Sequence, residues 1–180
     1  MSEYYSMKIA GLERNLEKFA VNDKLDIAAF ILFGDVEITV ASATELLKRL
    51  PEFDVILTPE AKSIPLAYEM SKQSGKPYVV ARKGTKVYMK NAISSAVNSI
   101  TTQHEQALYL GENDVEKLKG KRTVIVDDVI STGESLTAIR SLASLAGCNE
   151  VAACAVLAEG DATERDDIIY LEKLPLFFKD

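Results

Sequence analysis

Only two of the 180 residues are cysteines, Cys148 and Cys154, and they lack a ligand-like C-x-x-C spacing. A disulfide scaffold needs more of them, so both read as buried thiols that pack as small hydrophobes. Positive charge is also short, with 21 Lys and Arg against 27 Asp and Glu and a net charge of −6. A sequence-independent grip on nucleic acid needs the opposite balance. No nucleic-acid partner is expected, and any phosphate site must be local. No apolar run approaches the ~18 residues that a membrane span requires, and Met1 to Ala10 is polar and charged rather than a long apolar leader. The expectation is a cytoplasmic protein without a membrane partner. Neither G-x-G-x-x-G nor G-x-x-x-x-G-K-S/T occurs, which disfavours a generic nucleotide-binding domain. Histidine is reduced to one copy, His104.

What is present suits one domain with a real core, at 47% hydrophobic and 27% charged residues. The chain is organised around Thr123 to Ser135, T-V-I-V-D-D-V-I-S-T-G-E-S. A β-branched run reads as a buried strand and ends in two adjacent carboxylates, Asp127 and Asp128. The small-residue turn that follows, Ser131 to Ser135, opens an apolar-periodic segment. Such a turn at a helix start presents free N–H groups and hydroxyls to an anion. The stretch is built for a phosphate beside a polyol or a metal.

Taken in order, residues 3 to 21 suggest an early strand, and Asp26 to Phe33 reads as strand or buried loop. Ala41 to Leu50 has helical spacing with Lys48 and Arg49 placed for the macrodipole. Asp54 to Leu57 is a short strand, followed by a polar loop, Thr58 to Ser63, and a helix from about Ile64 to Gln73. Pro77 to Ala81 is a third strand that runs into the cations Arg82, Lys83 and Lys86. Val87 to Gln106 is polar, allows a weak hairpin and has the length of a lid. Gln106 to Leu110 resumes a strand, Gly111 to Gly120 reads as a connector, and a helix over Leu136 to Leu145 follows the turn. Val151 to Ala158 is a last parallel-type strand, with an edge strand and packed tail around Pro175. The expected fold class is therefore α/β, an open, mostly parallel twisted sheet with helices on both faces. Ligands bind beyond the carboxyl ends of such strands, which puts Pro59 to Ser63, Arg82 to Lys86, Asp127 to Ser135 and Glu159 to Asp161 on one rim.

Adjacent carboxylates point to opposite sides of a strand, which argues against an acid/base pair acting on one atom. A solvated strand end, or acceptors for sugar hydroxyls or magnesium, remain, and the phosphate turn favours the latter. V-I-V-D-D-V-I-S-T-G-E-S resembles the signature of the type I phosphoribosyltransferases, in which two acids follow a hydrophobic strand and precede a Thr-Gly loop. The loop T-P-E-A-K-S and the A-R-K segment are similar in order to the purine members. In size and order the chain resembles the adenine enzymes. Their F-R-D-I-like and Y-x-L-E-Y-G-like segments correspond here to L-D-I-A-A-F and N-S-I-T-T-Q, with about Thr101 in place of the lid glutamate, and S-I-T-T-Q is closer to the xanthine enzymes.

The resemblance implies a single phosphoribosyltransferase domain over residues 1–180, with a core of about 40–160, a hood from about 1–38 and 160–180, and a lid over about 84–106. It implies that Asp127 and Asp128 hold the ribose hydroxyls of phosphoribosyl pyrophosphate (PRPP), directly or through Mg2+, and that Ser131, Thr132, Gly133, Glu134 and Ser135 wrap the 5′-phosphate. Glu60, Ala61, Lys62, Ser63, Arg82, Lys83 and Lys86 would lie against pyrophosphate, although Lys62 and Lys86 also read as surface lysines. His104 and Glu105 are candidates for proton transfer. Phe30 or Phe33 would stack on the base, or simply pack in the core. The implied reaction is purine salvage, with adenine slightly preferred over a 6-oxopurine (xanthine, hypoxanthine or guanine), and with a homodimer as the assembly. A non-catalytic PRPP-binding regulator is the competing reading, and the acidic charge argues against one that binds DNA.

Overall fold

The computed structural model describes residues 3–97 and 106–179. The chain opens with β1 (Tyr4–Ile9), β2 (Leu12–Asn22) and β3 (Leu25–Ala28). β1 and β2 pair antiparallel through Ala10-Gly11, whose φ angles are 49° and 85°. Glycine accepts one of these left-handed positions without steric cost. Where one early strand was expected there is thus a hairpin, because Tyr5, Met7 and Ile9 alternate inward along β1 and β2 presents a matching face. Asp26 to Phe33 divides into the short β3 and a loop in which Phe30 and Leu32 are buried.

Helix α1 (Val36–Leu47) starts at Val36 rather than at Ala41. Its N-cap is Asp35, whose Oδ1 accepts from the Ile38 N–H at 3.1 Å and whose two oxygens also receive Arg14 of β2 at 2.7 and 3.0 Å. One carboxylate therefore starts the helix and ties the antiparallel sheet to it. β4 (Val55–Pro59), α2 (Ile64–Ser74) and β5 (Tyr78–Ala81) follow as expected. β6 (Ile93–Val97) and β7 (Gln106–Leu110) form an antiparallel hairpin. The segment Gly111 to Gly120, expected as a connector, contains α3 (Glu112–Leu118), with Glu112 and Asp114 in its first turn and Lys117 in its last, a charge order that complements the macrodipole.

The stretch that organises the chain is β8 (Arg122–Ile130) followed by α4 (Glu134–Leu145), then β9 (Asn149–Glu159), a 3-10 turn at Gly160–Glu164, β10 (Ile169–Leu174) and β11 (Phe177–Phe178). β10-β9-β8-β4-β5 form the central sheet, every neighbour parallel. β11 joins the first sheet beside β3, and Phe177 meets Tyr5 edge-on at 5.1 Å. Period-two alternation sends Ile56, Val124, Val126, Cys154 and Val156 to one face, against Ile38, Leu46, Leu66 and Met70 of α1 and α2. Val55, Leu57, Ile125, Ala153 and Ala155 go to the other, against Leu118 of α3 and Leu136, Ile139 and Leu142 of α4. A sheet covered on both faces explains why its strands are continuous apolar runs. Each fully buried Leu or Ile side chain contributes about 1.5–3 kcal/mol, so these two layers hold the carboxyl ends of β4, β5, β8 and β9 on one rim. Among the described residues no helix is long and apolar enough to cross a membrane.

Candidate functional site

On that rim lies a cavity of about 600 Å³. The turn after β8 supplies its floor. Ser131 and Thr132 line it, and Gly133, at φ 82°, turns the chain into α4. The first turn of α4, with Glu134 and Ser135 on the cavity, receives no cap from Gly133, and the Glu134 N–H meets the Thr132 hydroxyl only at 3.5 Å, so this helix start suits an anion. A β-carbon on Gly133 would lie 2.9 Å from Arg165 Nη1. Arg165 is itself oriented by Asp167, to which Nε and Nη2 donate at 2.8 and 2.7 Å. Arg140 of α4 holds the same Asp167 and donates to Glu150 at 2.8 Å. A cationic network thus backs the turn, and no local sequence pattern singles it out.

Asp127 and Asp128 both face this cavity although they are consecutive, because it wraps around the end of β8. The Asp128 N–H donates to Asp127 Oδ1 at 2.9 Å. Asp128 is only 3% exposed, and its Oδ2 has no hydrogen-bond partner. Lys62 Nζ approaches it to 3.5 Å, an ion pair without hydrogen-bond geometry. Burial, and next the neighbouring Asp128 charge, push the Asp127 carboxyl well above its ordinary 3.8. The pair accordingly carries a deficit of positive partners inside the cavity.

The loop after β4 brings Glu60, Ala61, Lys62 and Ser63 to the opposite wall, and the Glu60-Ala61 peptide is cis. Ser63 is buried, its hydroxyl 2.8 Å from that of Thr58, which donates to the Val126 carbonyl at 2.9 Å. That bridge fixes the loop against β8. Glu60 Oε2 accepts from the Lys83 N–H at 2.9 Å and from Arg82 Nε at 3.2 Å, and these bonds, the Lys83 N–H first, hold its carboxyl below 4.5. Glu60 therefore shapes the cationic turn after β5 rather than facing an anion directly. Lys83 lines the cavity, whereas Arg82, spent on Glu60 and the Tyr88 hydroxyl, and the exposed Lys86 do not. Arg82 and Tyr109 exchange backbone hydrogen bonds at 2.9 and 2.8 Å, which joins this turn to β7.

Ile27 to Ile31 and Leu174 form an apolar wall. Phe30 lines it and is 5% exposed, while Phe33 is 54% exposed and lies off the cavity. Of the two candidate aromatics the structure brings only Phe30 to the site. Leu108, Ala138 and Glu159 also line it. The strand rule puts Glu159 on the rim, and the structure brings it to the cavity; periodicity alone carries no information on which strand neighbours which. His104, Glu105 and Thr101 lie outside the described residues. Among the described residues no three acids or histidines cluster as a metal cage.

A family model described as a phosphoribosyl transferase domain matches residues 37–175. A hypoxanthine/guanine phosphoribosyltransferase of Methanococcus voltae is 36% identical over 124 residues, covering 68% of this chain and 63% of that protein. An adenine phosphoribosyltransferase of Thermotoga petrophila is 34% identical over 108 residues, covering 60% of each. The chain thus spans about three fifths of the length of these curated relatives. Among solved structures, an adenine phosphoribosyltransferase of Thermoanaerobacter pseudethanolicus superposes with a TM-score of 0.67 at 22% identity, covering 95% of both chains. One from Trypanosoma brucei, in complex with AMP, pyrophosphate and ribose-5-phosphate, gives 0.68 at 17% identity, covering 95% of this chain and 76% of that one. At these identities the likeness is one of fold.

Proposed function

The chain belongs to the phosphoribosyl transferase domain family, and on that premise we propose that it transfers the 5-phosphoribosyl group of PRPP to a free purine base, releasing pyrophosphate, with adenine the favoured acceptor and AMP the product. The observation that carries this reading is one cavity joining an uncapped helix start, a tandem acid pair with an unpartnered oxygen, a lysine-bearing loop and an apolar wall.

The N–H groups and hydroxyls of Ser131, Thr132, Gly133, Glu134 and Ser135 take the 5′-phosphate, Glu134 through its backbone. Asp127 and Asp128 accept from the ribose hydroxyls. Ala61, Lys62, Ser63 and Lys83 receive pyrophosphate, Arg82 and Glu60 hold their turn in place, and Lys86 adds charge at longer range. Magnesium fits this donor set, since the unpartnered Asp128 Oδ2 beside Asp127 offers hard oxygens, with water and substrate phosphates completing its shell. When bound, the ion supplies neutralisation of the charge on pyrophosphate.

In the reaction the bond from the anomeric carbon to pyrophosphate breaks, and pyrophosphate keeps the electron pair. The bond to the base nitrogen forms, and that nitrogen loses its proton. Positive charge develops on the sugar between these events, so the chain's work is to position both reactants and to meet the charge on the leaving oxygens with Lys62 and Lys83. Phe30 stacks on the base. His104 or Glu105 accepts the base proton, and the lid over about 84–106 excludes water from the sugar cation. The proposed unit is one domain over 1–180, assembled as a homodimer.

A 6-oxopurine acceptor is the second reading, favoured by the relative named for hypoxanthine and guanine. Purified protein incubated with PRPP, magnesium and each purine in turn is expected to release pyrophosphate fastest with adenine. Failure to release pyrophosphate with any purine would reject the enzyme and leave a PRPP-binding regulator, for which tight DNA binding in a low-salt gel shift is the check.

A further inference from the structure

The wall assigned to pyrophosphate carries an acid of its own. Glu60 lines the cavity with Lys62 and Lys83, where a carboxylate repels the leaving group instead of holding it. Its Oε2 accepts from the Lys83 N–H at 2.9 Å and from Arg82 Nε at 3.2 Å, and these bonds, the Lys83 N–H first, keep its carboxyl below 4.5 and therefore ionised at neutral pH. A backbone N–H, a guanidinium and the charge of Lys86 are partners that an anionic phosphoryl oxygen also seeks. The Glu60 carboxylate thus fills a place that has the donors of an anion site. Backbone bonds hold both turns besides. The Glu60 N–H donates to the Ala81 carbonyl at 2.8 Å, and Arg82 and Tyr109 exchange theirs at 2.9 and 2.8 Å. Each turn therefore keeps its place when the carboxylate leaves the Lys83 N–H, and a side chain 26% exposed has solvent to turn into.

We propose that Glu60 is a built-in competitor of pyrophosphate, an internal anion that the leaving group displaces from the Lys83 N–H on binding and that returns to this donor as pyrophosphate departs. The assignment rests on the phosphoribosyl-transfer reading and deepens it. Glu60 stays on Arg82 through the exchange, so the cationic turn is held in both states while its N–H changes acceptor. A carboxylate left beside a polyanion sets like charges against each other, which costs affinity. The site therefore binds pyrophosphate less tightly than its cations alone would allow. Weak product binding keeps release from limiting the reaction, as it does in many enzymes.

The test needs no turnover and no base. Magnesium pyrophosphate is titrated by calorimetry into the full chain at neutral pH, and ribose 5-phosphate, which has no pyrophosphate to compete, serves as control. Glu60→Gln keeps an oxygen for the Lys83 N–H and sheds the charge. It is expected to bind pyrophosphate at least about tenfold tighter than the wild type, a difference of ~1.4 kcal/mol, while ribose 5-phosphate affinity stays unchanged. A carboxylate that only positioned the turn predicts the opposite sign, because its replacement would slacken the site. Should Glu60→Gln lose ribose 5-phosphate, Glu60→Ala carries the same comparison. Unchanged or weaker pyrophosphate binding in a variant that still binds ribose 5-phosphate overturns the role of Glu60 and leaves the phosphoribosyl site standing. If neither pyrophosphate nor ribose 5-phosphate binds the wild type, both readings fall together.

Discussion

Asp127→Asn should stabilise the free protein while removing its grip on PRPP. Asp127 and Asp128 share the end of β8, and the nearest cation to the pair is Lys62, 3.5 Å from Asp128 and largely exposed. Burial and the adjacent negative charge raise the Asp127 carboxyl above 3.8 in the fold. A raised carboxyl favours its protonated form in the native state, so its stabilising contribution is intact below about pH 4 and is lost as pH climbs toward the native value. Holding such a carboxyl ionised costs about 1.4 kcal/mol for every tenfold change in its proton affinity, which bounds the native-state penalty at pH 7 near 4 kcal/mol. Water in the open cleft and the charge of Lys62 reduce the realised part to about 1–2 kcal/mol. Asparagine keeps the oxygen that accepts from the Asp128 N–H and sheds the charge. For a chain of this size the melting temperature should rise by about 3–7 °C at pH 7. The assay is thermal unfolding by calorimetry in chelator-treated buffer at pH 7 and again near pH 4, where the gain should shrink toward zero. A variant less stable at pH 7, or equally stabilised at both pH values, refutes the reasoning. Added PRPP with magnesium should then raise the melting temperature of the wild type and not that of the variant.

Gly133→Ala forces a β-carbon onto a φ of 82° and to within 2.9 Å of Arg165 Nη1; a loss of about 1–2 kcal/mol in stability and at least tenfold in ribose 5-phosphate affinity is expected by melting and calorimetry. Asp167 is held well below 3.8 by Arg165 first and Arg140 second, so Asp167→Asn should lower the melting temperature at pH 7. That deficit should fade as pH falls below about 4, where the depressed carboxyl of the wild type begins to lose its contribution. Phe30→Ala should cost about 3 kcal/mol in denaturant unfolding and weaken AMP, whereas Phe33→Ala, at an exposed position, should stay within about 0.5 kcal/mol and leave AMP binding unchanged.

The carboxyl-end rim was readable in advance because parallel strands buried on both faces announce themselves as β-branched runs, and a Ser-Thr-Gly turn after two acids has few other uses. Local punctuation misled at α1, where Gly34-Asp35 looks like the end of a strand; the cap at Asp35 becomes visible only once Arg14 and Ile38 converge on its carboxylate. Helix α3 had the charge order of a helix but only seven residues, too few for periodicity to register. The Ala10-Gly11 turn lacks the Asn-Gly or Asp-Gly pair that marks a tight hairpin, so β1 and β2 merged into one expected strand. Glu159 falls on the rim by the strand rule, as the cavity lining confirms, whereas Arg165 escaped. It matters through Gly133, a neighbour remote in the chain, and that proximity is a tertiary fact.

The backbone exchange between Arg82 and Tyr109 has an engineering consequence. It anchors the Lys83-bearing turn to β7 directly, so the place of that turn beside the cavity should survive changes made to the residues that link β6 to β7.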